Sequence, residues 1–292
     1  MTNSIDDQLG SFCLEWAHEL SPLDQLPAGA RFFHYTTAKG MQGIIRSGCM
    51  WAHSIEQQND YTEVRYAASV MRAHIERAYA VEPDALACEL FLALRRQMAT
   101  IFLGNLFVLS YSGDGDELGM WRLYADRGTG FSFGFPLHAA KEWPGTIIIA
   151  KCQYDFRKLD LFCSASLIKV RELYLAAVKS GCNSDVDGIA AMFFRHIAWF
   201  ATIFKPHVWA DEQEWRIVFH RGPEHHKKRD DERSYIDVPP SGSFPIEAIC
   251  AGPNCDAVNS IRSLRELMAK TTYKSVPLYM SQHAEDSKTH LS

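Results

Sequence analysis

Near Leu106 the spacing of apolar residues changes from the period of helices to that of strands. Before it, Leu9, Phe12, Cys13, Trp16 and Leu20 recur at helical intervals until Ser21-Pro22 stops the helix. Arg31 to Tyr35 reads as a strand, and Thr36 or Thr37 caps a short helix through Met41, Ile44 and Ile45 that ends at a left-handed Gly48. Helical patterns through Val64, Met71 and Ile75 and through Leu86, Leu90 and Leu94 follow, with Pro83 between them. From Leu106 to Tyr111 the chain reads as a strand, then as a Gly/Asp loop (Gly113 to Asp116) and a helical turn with Trp121 and Tyr124. Phe131, Phe133 and Phe135 alternate with Ser132 and Gly134 as in a half-buried strand, and Thr146 to Tyr154 reads as another. Helices are expected over Ser166–Lys179 and Asp185–Phe204, a strand around Glu212–Phe219, and a solvated charged loop over Arg221–Arg233. Phe244–Ala251 and Tyr273–Tyr279 read as strands flanking a helix over Asp256–Lys270. With no internal repeat and no long linker, the economical account is an N-terminal helix within residues 1–25, one α+β domain with helical insertions over 26–280, and a disordered tail over 281–292.

Composition narrows the class of molecule. Hydrophobic residues make up 47% of the 292, enough for a folded core. The net charge of -5 supplies no general attraction for nucleic acid or an anionic membrane. No apolar run is long enough to span a bilayer, and the polar, acidic start is not that of a secretory signal, so a cytoplasmic location is expected. The eight cysteines stand singly with no C-x-x-C, which predicts reduced thiols and no metal site.

Two short motifs far apart carry the strongest chemical signal. Around Glu212-Gln213-Glu214-Trp215-Arg216, a strand would put Gln213, Trp215, Ile217 and Phe219 on one face and Glu212, Glu214, Arg216 and Val218 on the other. Two carboxylates one pleat apart beside a guanidinium suit stabilisation of a developing cation; the plainer account is that Arg216 neutralises an acidic edge. In His34-Tyr35-Thr36 a ring nitrogen and a hydroxyl share one face just before a helix start, where free N–H groups hold phosphate or ribose. The plain counterpart is a core histidine and a helix cap. Ser110-Tyr111-Ser112 places two hydroxyls at a strand end, where they line a site or simply bond the following loop. Trp121 and Tyr124, at i and i+3, could stack on a flat ring or belong to the core. Asn59, Asp60 and Glu63 form a ligand-contacting turn or a helix start.

The ordered set F-H-Y-T (Phe33–Thr36), N-D-x-x-E (Asn59–Glu63), L-S-Y-S (Leu109–Ser112), M-W-x-x-Y-A (Met120–Ala125), G-F-S-F-G-F (Gly130–Phe135), E-x-E-W-R (Glu212–Arg216) and I-x-A-G-P (Ile249–Pro253) resembles a widespread bacterial family catalogued only as a domain of unknown function. A weaker resemblance, in H-x-T, S-x-S and the late E-x-E, is to the ADP-ribosyltransferase superfamily. It implies a split β-sheet that clasps NAD as substrate without a metal. On that resemblance His34 and Thr36 contact the ribose and diphosphate side and Ser110 or Tyr111 lines the nicotinamide-ribose site; Tyr35 and Ser112 are counted among the NAD-binding residues, as are Trp121 and Tyr124, one or the other on the wall. Glu214 stabilises the oxocarbenium-like transition state and Glu212 orients the acceptor. The superfamily's E-x-E members usually start with Arg where this chain has His34, so the acceptor is left open. The function this implies is an NAD-dependent ADP-ribosyltransferase or NAD glycohydrolase acting on a protein or nucleic acid, as a toxin or phage-defence effector with an antitoxin or regulatory partner. The alternative is a catalytically silent nucleotide- or protein-binding module. A nucleic-acid-processing enzyme is disfavoured by the charge and by the lack of a basic stretch interleaved with aromatics.

Overall fold

The structure, a computed structural model, describes residues 4–21, 23, 26–27, 29–55, 61–98, 105–181, 185–228 and 233–284, with the backbone alone at 61–64 and 257–258. The chain forms two compact units, each from three stretches: residues 1–23, 54–106 and 150–210 in the first, and 24–53, 107–149 and 211–292 in the second. The sequence reading expects one domain over 26–280. Each unit draws on widely separated stretches, so no single linker divides them and none is legible in the sequence.

The first unit is helical. It holds α1 (Ile5–Leu20), α3 (Tyr61–Val81), α4 (Ala85–Met98), α7 (Phe156–Lys179) and α8 (Val186–Ile197). Ser4 and Asp7 close a capping box at the start of α1. Capped by Asp155, α7 begins at Phe156, ten residues before the expected start at Ser166, and Asp185 caps α8 as its sequence predicts. Beyond Ile197 the chain tightens into a 3-10 turn, Ala198–Thr202, so the long expected helix ends early. An aromatic stack of Trp199, Phe200 and Phe162, with centroids 3.7 and 3.8 Å apart, anchors this end. Arg171 grips Glu82 through Nε and Nη2 at 2.7 and 2.8 Å.

The second unit is built on a mixed sheet. Its strands are β1 (Arg31–Thr36), β2 (Met50–Ser54), β3 (Leu106–Ser112), β4 (Phe131–Pro136), β5 (Thr146–Lys151), β6 (Glu214–His220), β7 (Lys227–Lys228), β8 (Ser234–Val238), β9 (Ala248–Ala251) and β10 (Leu278–Met280). Three of these strands have an end residue or two across the boundary drawn above. The order is β10-β9-β4-β1-β3-β2-β8-β7, with β6 against β3 and β5. Strands β9 and β10 run parallel, whereas β1 is antiparallel to β3 and β4, β4 to β9, and β8 to β2 and β7. Helices α2 (Ala38–Ser47), α5 (Leu118–Tyr124), α6 (Leu137–Lys141) and α9 (Arg262–Met268) complete the unit. Thr37, not Thr36, caps α2 by accepting from the Gly40 N–H, and Gly48 closes it at φ 70°.

Strand β1 is paired along its whole length with β4, from Arg31 opposite Pro136 to Thr36 opposite Phe131. Its pairing with β3 is a single residue pair, Phe33 opposite Ser112. Strand β4 is buried on both faces, not half-buried as its alternation suggests. The reason is that the loop before α5 covers the second face: Ser132 Oγ donates to the Gly115 carbonyl at 2.6 Å. The Phe33 ring lies across Gly115 and Gly134, where added Cβ atoms would stand 2.4 and 2.9 Å from it.

Two further expectations are corrected. The charged stretch Arg221–Arg233 is not wholly a solvated loop, since Lys227–Lys228 pairs with β8 and His226 Nε2 lies 2.9 Å from the Arg221 carbonyl. The start of the expected tail is held in place: Ser281 Oγ donates to Asp116 Oδ1 at 2.6 Å and the Gln282 N–H to Oδ2 at 2.8 Å. Residues 285–292 lie outside the described residues, as do Asn59, Asp60 and the side chain of Glu63.

Gly130→Ala tests this packing. Its Cβ would stand 2.2 Å from the Thr36 carbonyl oxygen, so we expect a loss of about 1–3 kcal/mol. Gly43→Ala, in α2 with open space around it, should instead gain roughly 0.5–1 kcal/mol. Melting curves of the two variants decide both signs.

Candidate functional site

The alternation of β1 and its pairing with β3 determine which candidate side chains can meet. Phe33 faces Ser112, so Phe33, Tyr35, Ser110 and Ser112 share one face of this strand pair. His34 and Thr36 lie on the opposite face with Phe32 and Tyr111; the rings of His34 and Tyr111 are 5.9 Å apart. On β6, Trp215 packs against Phe32 with centroids 4.9 Å apart, which puts it on the His34 face. Glu214 and Arg216 alternate with Trp215 and so belong to the Ser110 face. The structure therefore brings Ser110, Ser112, Glu214 and Arg216 to one face and leaves His34 and Thr36 on the other.

Several of the candidates are interior structure. Tyr35 is buried; its hydroxyl donates to the Asp114 carbonyl and accepts from the Glu117 N–H, both at 2.9 Å, fastening the loop before α5. Trp121 is buried against Tyr35, Met120, Ala125 and Cys250, and its indole N–H donates to Asp116 Oδ1 at 2.7 Å. Tyr111 is buried between Phe32 and Phe135, and this burial pushes its phenol pKa well up. Ser112 Oγ accepts from the Asp114 N–H at 3.1 Å, the loop-bonding role. These four are positioned by packing, away from solvent.

His34 is half-buried, with its ring against Tyr111 and Phe133. Burial drives its pKa down to about 4, opposed by the Ser110 carbonyl 3.1 Å from Nδ1. At neutral pH the ring is uncharged, with Nδ1 donating to that carbonyl and Nε2 left as an acceptor.

The carboxylates sit where the chain enters β6. Glu212 ends a 3-10 turn, His207–Glu212, and Gln213 takes a left-handed φ of 42°, so Glu212 and Glu214 are not successive residues of one pleat as their spacing suggests. Both are buried, at 7% and 6% exposure, and Arg216 is 2% exposed. Arg216 holds Glu214 in a two-point pair, Nε to Oε1 at 2.8 Å and Nη2 to Oε2 at 3.0 Å. The exposed Tyr124 donates its hydroxyl to Glu212 Oε1 at 2.5 Å. The segment can thus present two oriented carboxylates.

The sequence reading missed the role of Asp116. Its carboxylate gathers Trp121, Ser281 and Gln282, while its carbonyl lies 3.0 Å from His283 Nε2. The D-G-D run of Asp114 to Asp116 was its one local signal, but the partners are 165 and 166 residues on. Among the described residues no His, Cys, Asp and Glu cluster could hold a metal ion, and no helix is long and apolar enough to cross a membrane.

Residues 120–217 match the model of a family described as protein of unknown function (DUF2971). That stretch includes M-W-x-x-Y-A, G-F-S-F-G-F and E-x-E-W-R, and it bears out the resemblance to a domain of unknown function. No curated protein and no solved structure matches the chain.

His34 supplies a pH test. Its folded pKa lies below the ordinary 6.5, so the unfolded chain binds the extra proton between about pH 6.5 and 4. The stability attached to the neutral ring is complete above pH 6.5 and is lost as pH falls towards 4. The loss is on the order of 3 kcal/mol. Denaturant titrations across that window should show a shallower slope for His34→Asn than for the wild type.

Proposed function

We propose that the chain is an NAD-consuming enzyme of the ADP-ribosyltransferase type, with Glu214 as the electrostatic residue and Glu212 on the acceptor side. The observation that carries the reading is the buried charge at the start of β6. Glu212, Glu214 and Arg216 are buried, the last two in a strand whose other buried residues, Trp215, Ile217, Val218 and Phe219, are apolar. Stability does not explain such a group, because hydrophobic replacement of a buried ion pair is commonly neutral or stabilising by about 1–4 kcal/mol. Oriented carboxylates in a low-dielectric setting are what the departure of nicotinamide requires, since positive charge then grows on the ribose. Arg216 holds the Glu214 carboxylate in a fixed orientation, while the Tyr124 hydroxyl fixes Glu212. The near-separation of β1 and β3, joined at one pair, supports a split sheet. His34 and Thr36, on the opposite face, take no part in this version of the site.

A second reading is the catalytically silent binding module. The two-point grip of Arg216 on Glu214 favours it, because the same geometry serves as a purely structural clamp.

Nicotinamide release separates the two. Wild type incubated with NAD and cell extract should release nicotinamide, and Glu214→Gln, assayed at a temperature where circular dichroism shows it folded, should lower the rate by about 10²–10³. Because it leaves the buried Arg216 without its counter-charge, its melting temperature should also fall. Glu212→Gln should reduce transfer more than glycohydrolysis. Absence of release by the wild type makes the silent module the better account.

A further inference from the structure

The N-terminal end of β1 borders an open cleft of about 370 Å³, whose lining includes Pro27, Arg31, Phe32, Phe33, Gly113 and Trp215. Its origin is the early end of β3: past Ser112, which pairs with Phe33, the neighbour of β1 is the loop at Gly113 instead of a strand. Trp215 is nine-tenths buried, yet its indole N–H makes no hydrogen bond among the described residues. Gly113 leaves the approach to that N–H clear, since even a Cβ there would stand 3.7 Å from Nε1. Arg31, half-exposed, bonds Glu247 through Nε, with no bond to either Nη among the described residues.

We propose that this cleft binds a planar heteroaromatic ring of the nucleobase class, with an in-plane acceptor on the Trp215 N–H and Arg31 at the mouth. The Trp215 N–H has no protein partner among the described residues and belongs to a side chain that lines the cleft, so a bound ring with an in-plane acceptor can replace the water that otherwise satisfies it. Aromatic and apolar walls suit a flat ring, and the volume lies in the range of small-molecule sites. A hydrocarbon ring fills such walls but has nothing to offer the N–H. Nucleobases carry ring-nitrogen and carbonyl acceptors in their plane. Arg31 adds a cation that can stack on a base or meet an attached phosphate. The inference stands apart from the NAD reading, because Trp215 and Glu214 alternate to opposite faces of β6.

Calorimetric titration of the full chain with adenosine, guanosine, cytidine and uridine tests it, with benzyl alcohol as a ring lacking an in-plane acceptor. At least one nucleoside should bind saturably and benzyl alcohol should not. Trp215→Phe keeps an aromatic ring and removes the donor, and should weaken that nucleoside about tenfold. If Trp215→Phe melts early, Arg31→Ala, at the exposed mouth of the cleft, carries the test and should also weaken binding. No binding by any nucleoside, equal binding of benzyl alcohol, or affinity unchanged in the folded variant overturns the proposal. Nicotinamide release is not read in this titration, so its outcome is separate from that of the enzyme reading.

Discussion

The antiparallel pairing of β1 with β4 governs the sheet-bearing unit. Six consecutive residue pairs fix the register of β1, and with it the face on which every side chain from Arg31 to Thr36 emerges. Phe32 then reaches Tyr111, Phe135 and Trp215, while Tyr35 on the other face reaches Trp121 and the loop before α5. A slip of one residue would exchange these sets and place Phe33 where no pair of glycines makes room for its ring.

Much of the local structure was legible in the sequence because its causes are local. Caps and stops such as Thr37, Gly48, Asp185 and Pro83 act within a few residues, and the elements they bound are found close to where they are expected. The alternation of Phe131 to Phe135 identified a strand, but the pattern of one strand does not say what covers its polar face. Here Ser132 is buried because Gly115 supplies a carbonyl from another part of the chain.

The candidate site was legible in composition and not in arrangement. His34, Ser110, Glu212 and Glu214 were picked out by residue type, but convergence depends on which face each strand turns to its neighbour. That is fixed by a pairing between residues 79 positions apart, Phe33 and Ser112, which no short motif encodes. The break at Gln213 is hidden for a related reason: a non-glycine residue at positive φ leaves no compositional trace, so E-x-E looked like two successive positions on one pleat. Hydroxyls were the most misleading signal. Tyr35 and Ser112 resemble ligand contacts in sequence, whereas in the fold they bond the backbone of the loop before α5.

The interleaving of the two units has a genetic consequence. Because each is assembled from three stretches, no pair of cuts in the coding sequence releases either one whole. A fragment running from residue 24 to 149 would carry the middle stretch of the helical unit along with only part of the sheet, cutting β5 short and losing β6 to β10. Recombination that trades whole modules between genes therefore cannot move one unit alone.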